Sequence, residues 1–580
     1  MEDLSSLSAS LKEILVSPEG SEILASTIEG YFLSTDITTK KAVCETLLDL
    51  VNGGDGEQNT ARREIILKEN SLTYLPHLLP LSTSFLPAQE LVYSIAKWSS
   101  PREVILGLSE GIQSIVDRAE GYVVSDNEDK EQYEDDDIPV DWSKLVEEYE
   151  NIIRCMILTI PRLKNSKSTP TLLSLSECIS SSLPILSHQS STSSSRTLLS
   201  RLCTLVEVIW KWVQNTVDNG GEQRAILSNI LFESVTLLGH KVNAKLTERW
   251  FLKTFPKFST MPTSKEILKD GPEGYKDGQE VLNLAWNTAK LLDFTPTDLV
   301  KKVLEPSHLS VHASLASLNF LASQLVKSEF ETILPTSSPS LIDDSMPILC
   351  AALSGSSVDA GLVFTWAIVQ HSIENKKFTV EYDNASMLLE LLVPLTAQHP
   401  SSLMRLALFK LIGEIISLQT TPNKKIQLFK QLLEPANPFD NIRIQSLSLL
   451  RENISSKSVL SPYLIEIIFP ILLEFPIDSD SNNPFNLSIN ELLKSFWFLW
   501  WIESLTLLWF LFNFDKENIT NIQSILKNDI KFKSWINVLK NKLYEIKNYQ
   551  QNNINNEFND EIQFLIMKFE DSLNRLKGIL

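Results

Sequence analysis

The five residues 107–111, Gly-Leu-Ser-Glu-Gly, fit the GxSxG pattern in which a serine acts as a nucleophile. In a serine hydrolase, Ser109 would stand on a sharp turn between a strand and a helix, and the apolar residues 104–106 could form that strand. The rest of the chain offers no series of strands and no HGGG-type oxyanion sequence. A helix with two glycines accounts for the pattern and needs none of these further elements. We favour the helix and assign no catalytic residue; a GxSxG hydrolase stays as the alternative function from another class.

A metal site is the second chemical possibility, because Glu305, His308 and His312 form an ExxHxxxH pattern. Histidines four positions apart can share one helix face, but a structural zinc ion needs four ligands. No cysteine or acid follows with ligand spacing, and the phosphate-binding sequences GxxxxGK[ST] and GxGxxG do not occur. The sequence therefore predicts no metal centre and no cofactor.

The five cysteines are far apart and form no CxxC pair: Cys44, Cys155, Cys178, Cys203 and Cys350. Such a set argues against a disulfide framework and indicates a reducing compartment. The first residues, MEDLSSLSASLKEIL, carry acids where a secretory signal would carry lysines, and they are typical of a capped amphipathic helix. We expect a cytoplasmic protein, with the nucleus as a second location.

The formal charge of −20 restricts the partners that the chain can bind. An acidic surface repels phosphate backbones, and we find no local basic patch, so direct binding of nucleic acid is not expected. Basic protein segments are the more natural partners. The densest acidic run, DNEDKEQYEDDD at 126–137, predicts a solvated loop.

Apolar residues recur at spacings of three and four along almost the whole chain, as in SSLMRLALFKLIGEIISL at 401–418. This period predicts an all-α fold. Three helices are expected to begin alike, after Pro306, Pro400 and Pro438, with a side-chain acceptor such as Ser402 or Asp440 as the cap. Each has an apolar residue followed by a basic one, and two of these residues, Arg405 and Arg443, lie close to one HEAT or armadillo period apart. We predict a HEAT/armadillo-like α-solenoid of stacked helix pairs.

Changes in composition divide the predicted array into parts. Residues 1–125 form N-terminal helical repeats, 126–141 an acidic mobile loop, 142–255 further repeats, 256–280 a connection rich in Pro, Gly and Lys, 281–475 HEAT-like repeats, and 476–580 an aromatic-rich buried helix followed by Asn-rich C-terminal helices. The serine-rich run SHQSSTSSSR at 187–196 predicts a short flexible linker between helices.

The run SFWFLWWIESLTLLWFLFNF at 495–514 is long enough to span a bilayer. Glu503 at its centre would cost about 2.5–3.5 kcal/mol on insertion scales, and its tryptophans do not gather at the two ends. An interior helix of the array, a membrane anchor and an exposed docking groove all remain open, and the interior helix is favoured.

Two segments, NPFDNIRIQSLSLLREN at 437–453 and SSPREVILGLSEGI at 99–112, resemble segments of a known family. The first is similar to a Pro-Phe-x-x-[hydrophobic]-Arg…Leu-Leu-[Lys/Arg] segment in the carboxy-terminal half of the family of glomulin, the fungal YAP-binding proteins and the plant aberrant lateral root formation protein. The second is similar to a helix near the amino-terminal end of that family. The residues that match the first motif are Pro438, Phe439, Arg443, Leu449, Leu450 and Arg451.

The resemblance implies a non-enzymatic helical-repeat adaptor. Fungal members bind an AP-1-like transcription factor and support its activation in the oxidative stress response, whereas glomulin caps the RING subunit of cullin–RING ubiquitin ligases. We take the first as the predicted function and the second as its alternative. Pro438, Phe439, Arg443 and Arg451 are the candidate partner contacts. Arg443 also has a structural interpretation, in which it pairs with an acid in the adjacent repeat loop.

Overall fold

The computed structural model describes residues 20–34, 36–52, 67, 71–125, 141–163, 168–215, 220–260, 274–306, 311–327, 340–375, 379–474, 484, 486–552 and 560–578. Within these ranges there are 25 α-helices and no β-strand, so the predicted all-α fold is confirmed. The acidic run at 126–137 and the start of the chain, residues 1–19, lie outside the described residues.

The chain divides into two compact units. The first is formed by Met1–Thr260, Lys265–Leu334 and Pro347–Phe364, and the second by Met261–Ser264, Pro335–Met346 and Thr365–Leu580. The helices up to residue 327 are α1 (Gly20–Leu33), α2 (Ile37–Asn52), α3 (Ser71–Leu81), α4 (Leu86–Trp98), α5 (Pro101–Ser125), α6 (Trp142–Thr159), α7 (Ser168–Gln189), α8 (Thr192–Gln214), α9 (Gly221–Leu238), α10 (Leu246–Thr254), α11 (Tyr275–Leu291), α12 (Pro296–Leu304) and α13 (Val311–Lys327). Short 3₁₀ turns occupy Ile160–Arg162 and Pro256–Thr260.

Helices of the first unit pack in two rows. In one row α3, α5, α7, α9 and α13 each contact the next, and in the other α2, α4, α6, α8 and α11 do the same. Contacts such as α3 with α4, α5 with α6 and α8 with α9 join the rows. Each apolar stripe is thereby buried between a neighbour in its own row and one in the opposite row. This arrangement is consistent with the predicted stack of helix pairs.

The remaining helices are α14 (Leu341–Ser354), α15 (Val358–Asn375), α16 (Tyr382–Gln398), α17 (Ser402–Ser417), α18 (Pro422–Leu433), α19 (Asp440–Ser455), α20 (Pro462–Leu472), α21 (Ile489–Lys494), α22 (Phe496–Phe514), α23 (Ile522–Asn528), α24 (Ile530–Asn552) and α25 (Asp560–Lys577). In the second unit α16 contacts α17 and α18, α18 contacts α19 and α20, and α22 lies between α19 and α25.

The helices after Pro400 and Pro438 are present, but their predicted caps are wrong. The hydroxyl of Ser401, and not that of Ser402, accepts a hydrogen bond from the Met404 amide at 3.3 Å. Asp440 is already the first residue of α19, and the N-cap residue that precedes it, Phe439, provides no side-chain hydrogen bond. The helix after Pro306 begins at Val311, and residues 307–310 lie outside the described part of the chain.

The serine-rich run at 187–196 is not a flexible linker. Its first residues end α7 and its last begin α8, so only Ser190 and Ser191 join the two helices. Ser191 accepts the Ser194 amide at 3.1 Å as the N-cap of α8, and the hydroxyls of Ser190 and Ser195 are 2.7 Å apart in the interior. Serine composition suggested flexibility, but serine hydroxyls are also good partners for the free groups at helix ends.

The connection predicted at 256–280 is shorter than its composition indicated. Residues 261–273 lie outside the described ranges, but 275–280 form the first turns of α11. Gly278 in this turn is buried against the backbone of residues 242–244. This glycine therefore permits close packing and does not interrupt the helix.

Candidate functional site

Ser109 lies in the middle of the long helix α5 and not on a strand-to-helix turn. Its hydroxyl donates to the carbonyl of Ile105, one helical turn earlier, at 2.9 Å. The flanking glycines let α5 approach α3: a Cβ on Gly107 would lie 2.9 Å from the Cδ1 of Leu75, and one on Gly111 would lie 2.6 Å from the Cδ1 of Leu79. The GxSxG pattern is thus a packing feature of two helices, and Ser109 lacks the geometry of a nucleophile elbow.

The ExxHxxxH pattern is divided by the end of one helix and the start of the next. Glu305 follows α12, His312 is the second residue of α13, and His308 lies outside the described residues. Among the residues that the structure does describe, no group of three or more His, Cys, Asp or Glu side chains could hold a metal ion.

The five thiols lie on helices, and none is part of a disulfide. Burial raises the pKa of Cys44 and of Cys203 to about 12. Burial also raises the pKa values of Cys155, Cys178 and Cys350. Since the thiolate is the form that attacks a disulfide or peroxide, these side chains are poor redox nucleophiles at neutral pH.

One carboxyl group of the first unit titrates near neutrality. Partial burial on α6 raises the pKa of Glu150 to about 7; the nearby cation of Arg201 opposes this rise and the carboxylate of Glu147 adds to it. In the unfolded chain the same group would titrate near its ordinary value of 4.5. The folded state therefore holds this proton more tightly, so this group's contribution to stability is lost as the pH rises from about 4.5 to about 7.

We expect Glu150→Gln to raise the melting temperature at pH 8 and to change it little at pH 5. The amide removes the cost of a partly buried carboxylate, and that cost is present only where Glu150 is ionised. Thermal unfolding followed by circular dichroism at the two pH values measures the difference. Glu120→Gln, at an exposed position on α5, is the control and should show no such dependence on pH. An equal gain at both pH values would contradict the assignment.

The aromatic run forms α22, whose side chains Phe498, Trp500 and Trp501 are fully buried. Its central Glu503 accepts hydrogen bonds from Arg451 at 2.7 Å and from Lys568 at 2.6 Å. Among the described residues, α22 is the one helix long and apolar enough to cross a membrane, with a mean hydropathy of 1.3. Its packing between α19 and α25 and its paired central charge support the interior-helix interpretation.

Arg443 is buried, with 7% of its side chain exposed, so it is not an available partner contact. Its Nε donates to the carbonyl of Leu433, the last residue of α18, at 3.0 Å. The guanidinium stacks on the rings of Phe496 and Trp500, with centroids at 4.7 and 5.0 Å. The acid within salt-bridge distance is Asp440 of the same helix, at 3.8 Å, and the carboxylate of Glu474, in the segment after α20, also interacts electrostatically with this guanidinium. Burial lowers the pKa of this guanidinium, and its role is structural.

Arg405 and Arg443 make equivalent hydrogen bonds from helices α17 and α19. The Nη1 of Arg405 donates to the carbonyl of His399, which follows α16, at 2.7 Å. Both arginines thus satisfy carbonyls at the C-terminus of an earlier helix, where a cation also interacts favourably with the helix dipole. Arg451 has a different partner, since its guanidinium is paired with Glu503 and only 26% of its side chain is exposed.

Pro438 and Phe439, the remaining candidates, line a surface cavity of ≈ 320 Å³ in the second unit. Pro438 is exposed and Phe439 is half-buried. We call this cavity the Pro438 groove; its apolar walls come from α16, from the end of α18 and from the segment before α19: Leu389, Val393, Pro394, Leu432, Pro438 and Phe439.

The lip of the Pro438 groove is held by a buried asparagine. Asn437 donates from its side-chain nitrogen to the carbonyl of Leu432 at 2.8 Å, and its side-chain oxygen accepts the amide of Phe439 at 3.1 Å. These bonds fix Pro438 and Phe439 against the end of α18. The groove is therefore formed before any ligand arrives, which lowers the entropy cost of binding.

The polar rim of the Pro438 groove is acidic. Two carboxylates, Glu390 and Glu434, are among its described lining residues, and no cationic side chain is. The side-chain nitrogen of Gln431 lies 3.4 Å from a carboxylate oxygen of Glu390, and the ammonium of Lys430 lies 3.9 Å from a carboxylate oxygen of Glu434. The site thus combines an apolar floor with negative charge at its edge.

The sequence predicts only one of the two walls of this groove. The motif identifies Pro438 and Phe439 as candidate contacts, but no motif identifies the opposite wall, which consists of Leu389, Val393 and Pro394. The one local signal on α16 is Pro394 inside a helix, where it has no N–H for the carbonyl of Glu390.

No protein-family model matches the chain, and no curated protein matches its sequence. The resemblance to the glomulin and YAP-binding family therefore stays a prediction.

Proposed function

We propose that the chain is a non-enzymatic helical adaptor that binds a partner protein at the Pro438 groove. The observation that carries this proposal is a preformed, mostly apolar surface cavity of ≈ 320 Å³, which Pro438 and Phe439 line. Preformed apolar concavities with a few polar groups are the usual sites of ligand and peptide recognition. The packing of α16, α18 and α19 against one another within the second unit supplies the rigid support that such a surface needs.

We further propose an AP-1-like transcription factor as the partner. The resemblance of residues 437–453 to the YAP-binding family suggests this partner, and an acidic rim suits a protein with basic segments. The raised pKa values of the cysteines favour an adaptor that holds the factor while another protein oxidises it. The RING subunit of a cullin–RING ubiquitin ligase is the alternative partner.

The test is binding of two purified baits, an AP-1-like factor and a RING subunit, measured by biolayer interferometry. Ala436→Trp places an indole at an exposed position that lines the groove. We expect it to weaken binding of the AP-1-like factor at least about tenfold, since central pockets carry most of the binding energy of an interface.

Gln398→Trp is the matched control, because it adds the same indole at an exposed position of α16 that does not line the groove. It should bind like the parent protein, and both variants should keep the parent's melting temperature. Equal binding by Ala436→Trp and Gln398→Trp would exclude the groove as the contact. Tight binding of the RING subunit alone would replace the proposed partner by the alternative.

A further inference from the structure

We infer, resting on the proposed function, that the Pro438 groove selects a partner segment in which one bulky apolar side chain is flanked on both sides by lysine or arginine. The inference concerns which chemistry the site accepts, and it rests on three properties of the described residues: the size of the cavity, the charge of its rim and the hydrogen-bond acceptors of that rim.

The size of the cavity limits the apolar part of the ligand. A volume of ≈ 320 Å³ is at the small end of ligand pockets, so it accepts a single aromatic or long aliphatic side chain and not a large apolar face. Pro394, Pro438 and the ring of Phe439 are rigid walls, which favour a planar or compact anchor. The anchor is therefore one residue, and the remaining affinity must come from its neighbours.

The rim determines the charge of those neighbours. Glu390 is exposed on α16, and Glu434 follows α18, so the two carboxylates come from different elements of the groove. The contact of Glu434 with Lys430, at 3.9 Å between partly exposed side chains, is weak and leaves the carboxylate able to accept other donors. An acidic segment would meet two like charges and no cation among the lining residues.

The rim also determines which hydrogen-bonding groups suit the site. The carboxylates of Glu390 and Glu434 accept hydrogen bonds and donate none, so they favour a donor from the ligand. Lysine and arginine carry only donors on their side chains. With a net charge of −20, the chain also attracts basic segments at long range.

Synthetic peptides labelled with fluorescein test this inference by fluorescence polarisation. The first peptide has a central phenylalanine with two arginines on each side, the second has glutamates in place of the arginines, and the third has alanine in place of the phenylalanine. We expect the first to bind, and the second and third to bind at least about tenfold more weakly. Binding of the first should weaken as salt is added.

Two double variants of the protein test whether the rim carboxylates cause the preference for a basic peptide. Glu390→Lys combined with Glu434→Lys should weaken binding of the arginine peptide about tenfold and should improve binding of the glutamate peptide. Glu452→Lys combined with Glu466→Lys is the matched control, because it changes the net charge equally at two exposed positions outside the groove. It should leave both affinities close to those of the parent.

Three results would overturn the inference. The first is equal binding of the arginine and glutamate peptides, the second is equal effects of the two double variants, and the third is equal binding of the phenylalanine and alanine peptides. None of these results would affect the adaptor proposal, which depends on loss of the full-length partner in Ala436→Trp. If instead that variant keeps the full-length partner while the peptides behave as expected, the adaptor surface lies elsewhere and the peptide preference still describes the groove.

Discussion

Replacing Arg443 by alanine is expected to destabilise the second unit by about 3 kcal/mol, because the variant loses several interactions at one buried position. The carbonyl of Leu433 at the end of α18 would lose its donor, and a buried acceptor without a partner costs about 1–3 kcal/mol. Stacking of the guanidinium on Phe496 and Trp500 would also be lost, and a cavity would remain between α19 and α22. Native-state hydrogen exchange of peptides from α18 and α19, read by mass spectrometry, measures the change locally.

Two further variants separate the causes of this loss. Arg405→Ala removes the same kind of bond to a helix end, but its guanidinium is nearer to solvent, so we expect a loss of about 1 kcal/mol. Arg443→Lys keeps the charge and loses the flat stacking surface and the Nε donor, so it should lie between the parent and Arg443→Ala. Equal losses in Arg405→Ala and Arg443→Ala would show that the aromatic rings around Arg443 contribute nothing.

This pair of arginines shows how far the sequence predicts the structure. The matching Pro-entry pattern correctly placed Arg405 and Arg443 at equivalent points of helices α17 and α19. The pattern could not show that Phe496 and Trp500 cover Arg443 and not Arg405. Those two rings belong to α22, which lies outside the repeat pattern of the sequence. Periodicity determines which face of a helix is apolar, but the partner of that face is set by tertiary packing.

The Pro438 groove shows the same division between local and tertiary information. The segment around Pro438 and Phe439 has an unusual local composition, and a motif could identify it. The opposite wall, including Leu389 and Val393, consists of ordinary apolar helix residues, which have no signal in a single sequence. The all-α class was predictable because almost every segment has the same period, whereas a groove between segments depends on how far apart the helices pack.

The glycines of the chain show a limit of composition as a guide. Gly107 and Gly111 fitted a nucleophile elbow as well as the favoured helix, and Gly278 suggested a loop, but all three lie within helices. Composition gives glycine a preference for turns, because it loses the most conformational freedom when it is ordered. That preference is overcome where a neighbouring element approaches too closely for any side chain, and the approach is visible only in the structure.

Gly278→Ala is accordingly expected to destabilise the first unit by about 3 kcal/mol, at the upper end of the cost of overpacking. A methyl group there would overlap the carbonyl oxygen of Val242, and it would lie 3.0 Å from the carbonyl carbon of Val242 and 3.1 Å from the amide nitrogen of Ala244. These are backbone atoms, so they cannot move away by a change of rotamer as the end of a flexible side chain can. Hydrogen exchange of peptides from α11 measures the local loss, and the melting temperature should fall with it.

The backbone opposite Gly278 is also prevented from moving by its own contacts. Arg196, which is buried, donates to the carbonyl of Val242 at 2.9 Å and to the carbonyl of Gly274 at 2.9 Å, so it ties the turn to the start of α11. Asn243 and Lys245 on either side of Ala244 have positive φ angles of 55° and 47°, which leave few alternative conformations for the turn. The turn at residues 242–244 therefore cannot move away from the methyl group without a large loss of stability.

Gly30→Ala provides the matched control for this variant. Gly30 lies in helix α1 and has no atom within 4 Å of the position of a Cβ, so the same substitution there should stabilise the protein by up to about 1 kcal/mol. The two variants make the same chemical change in a helix, and they should shift stability in opposite directions. If Gly278→Ala also stabilised the protein, the close approach between α11 and the turn at residues 242–244 would be wrong, and with it the packing that Arg196 supports.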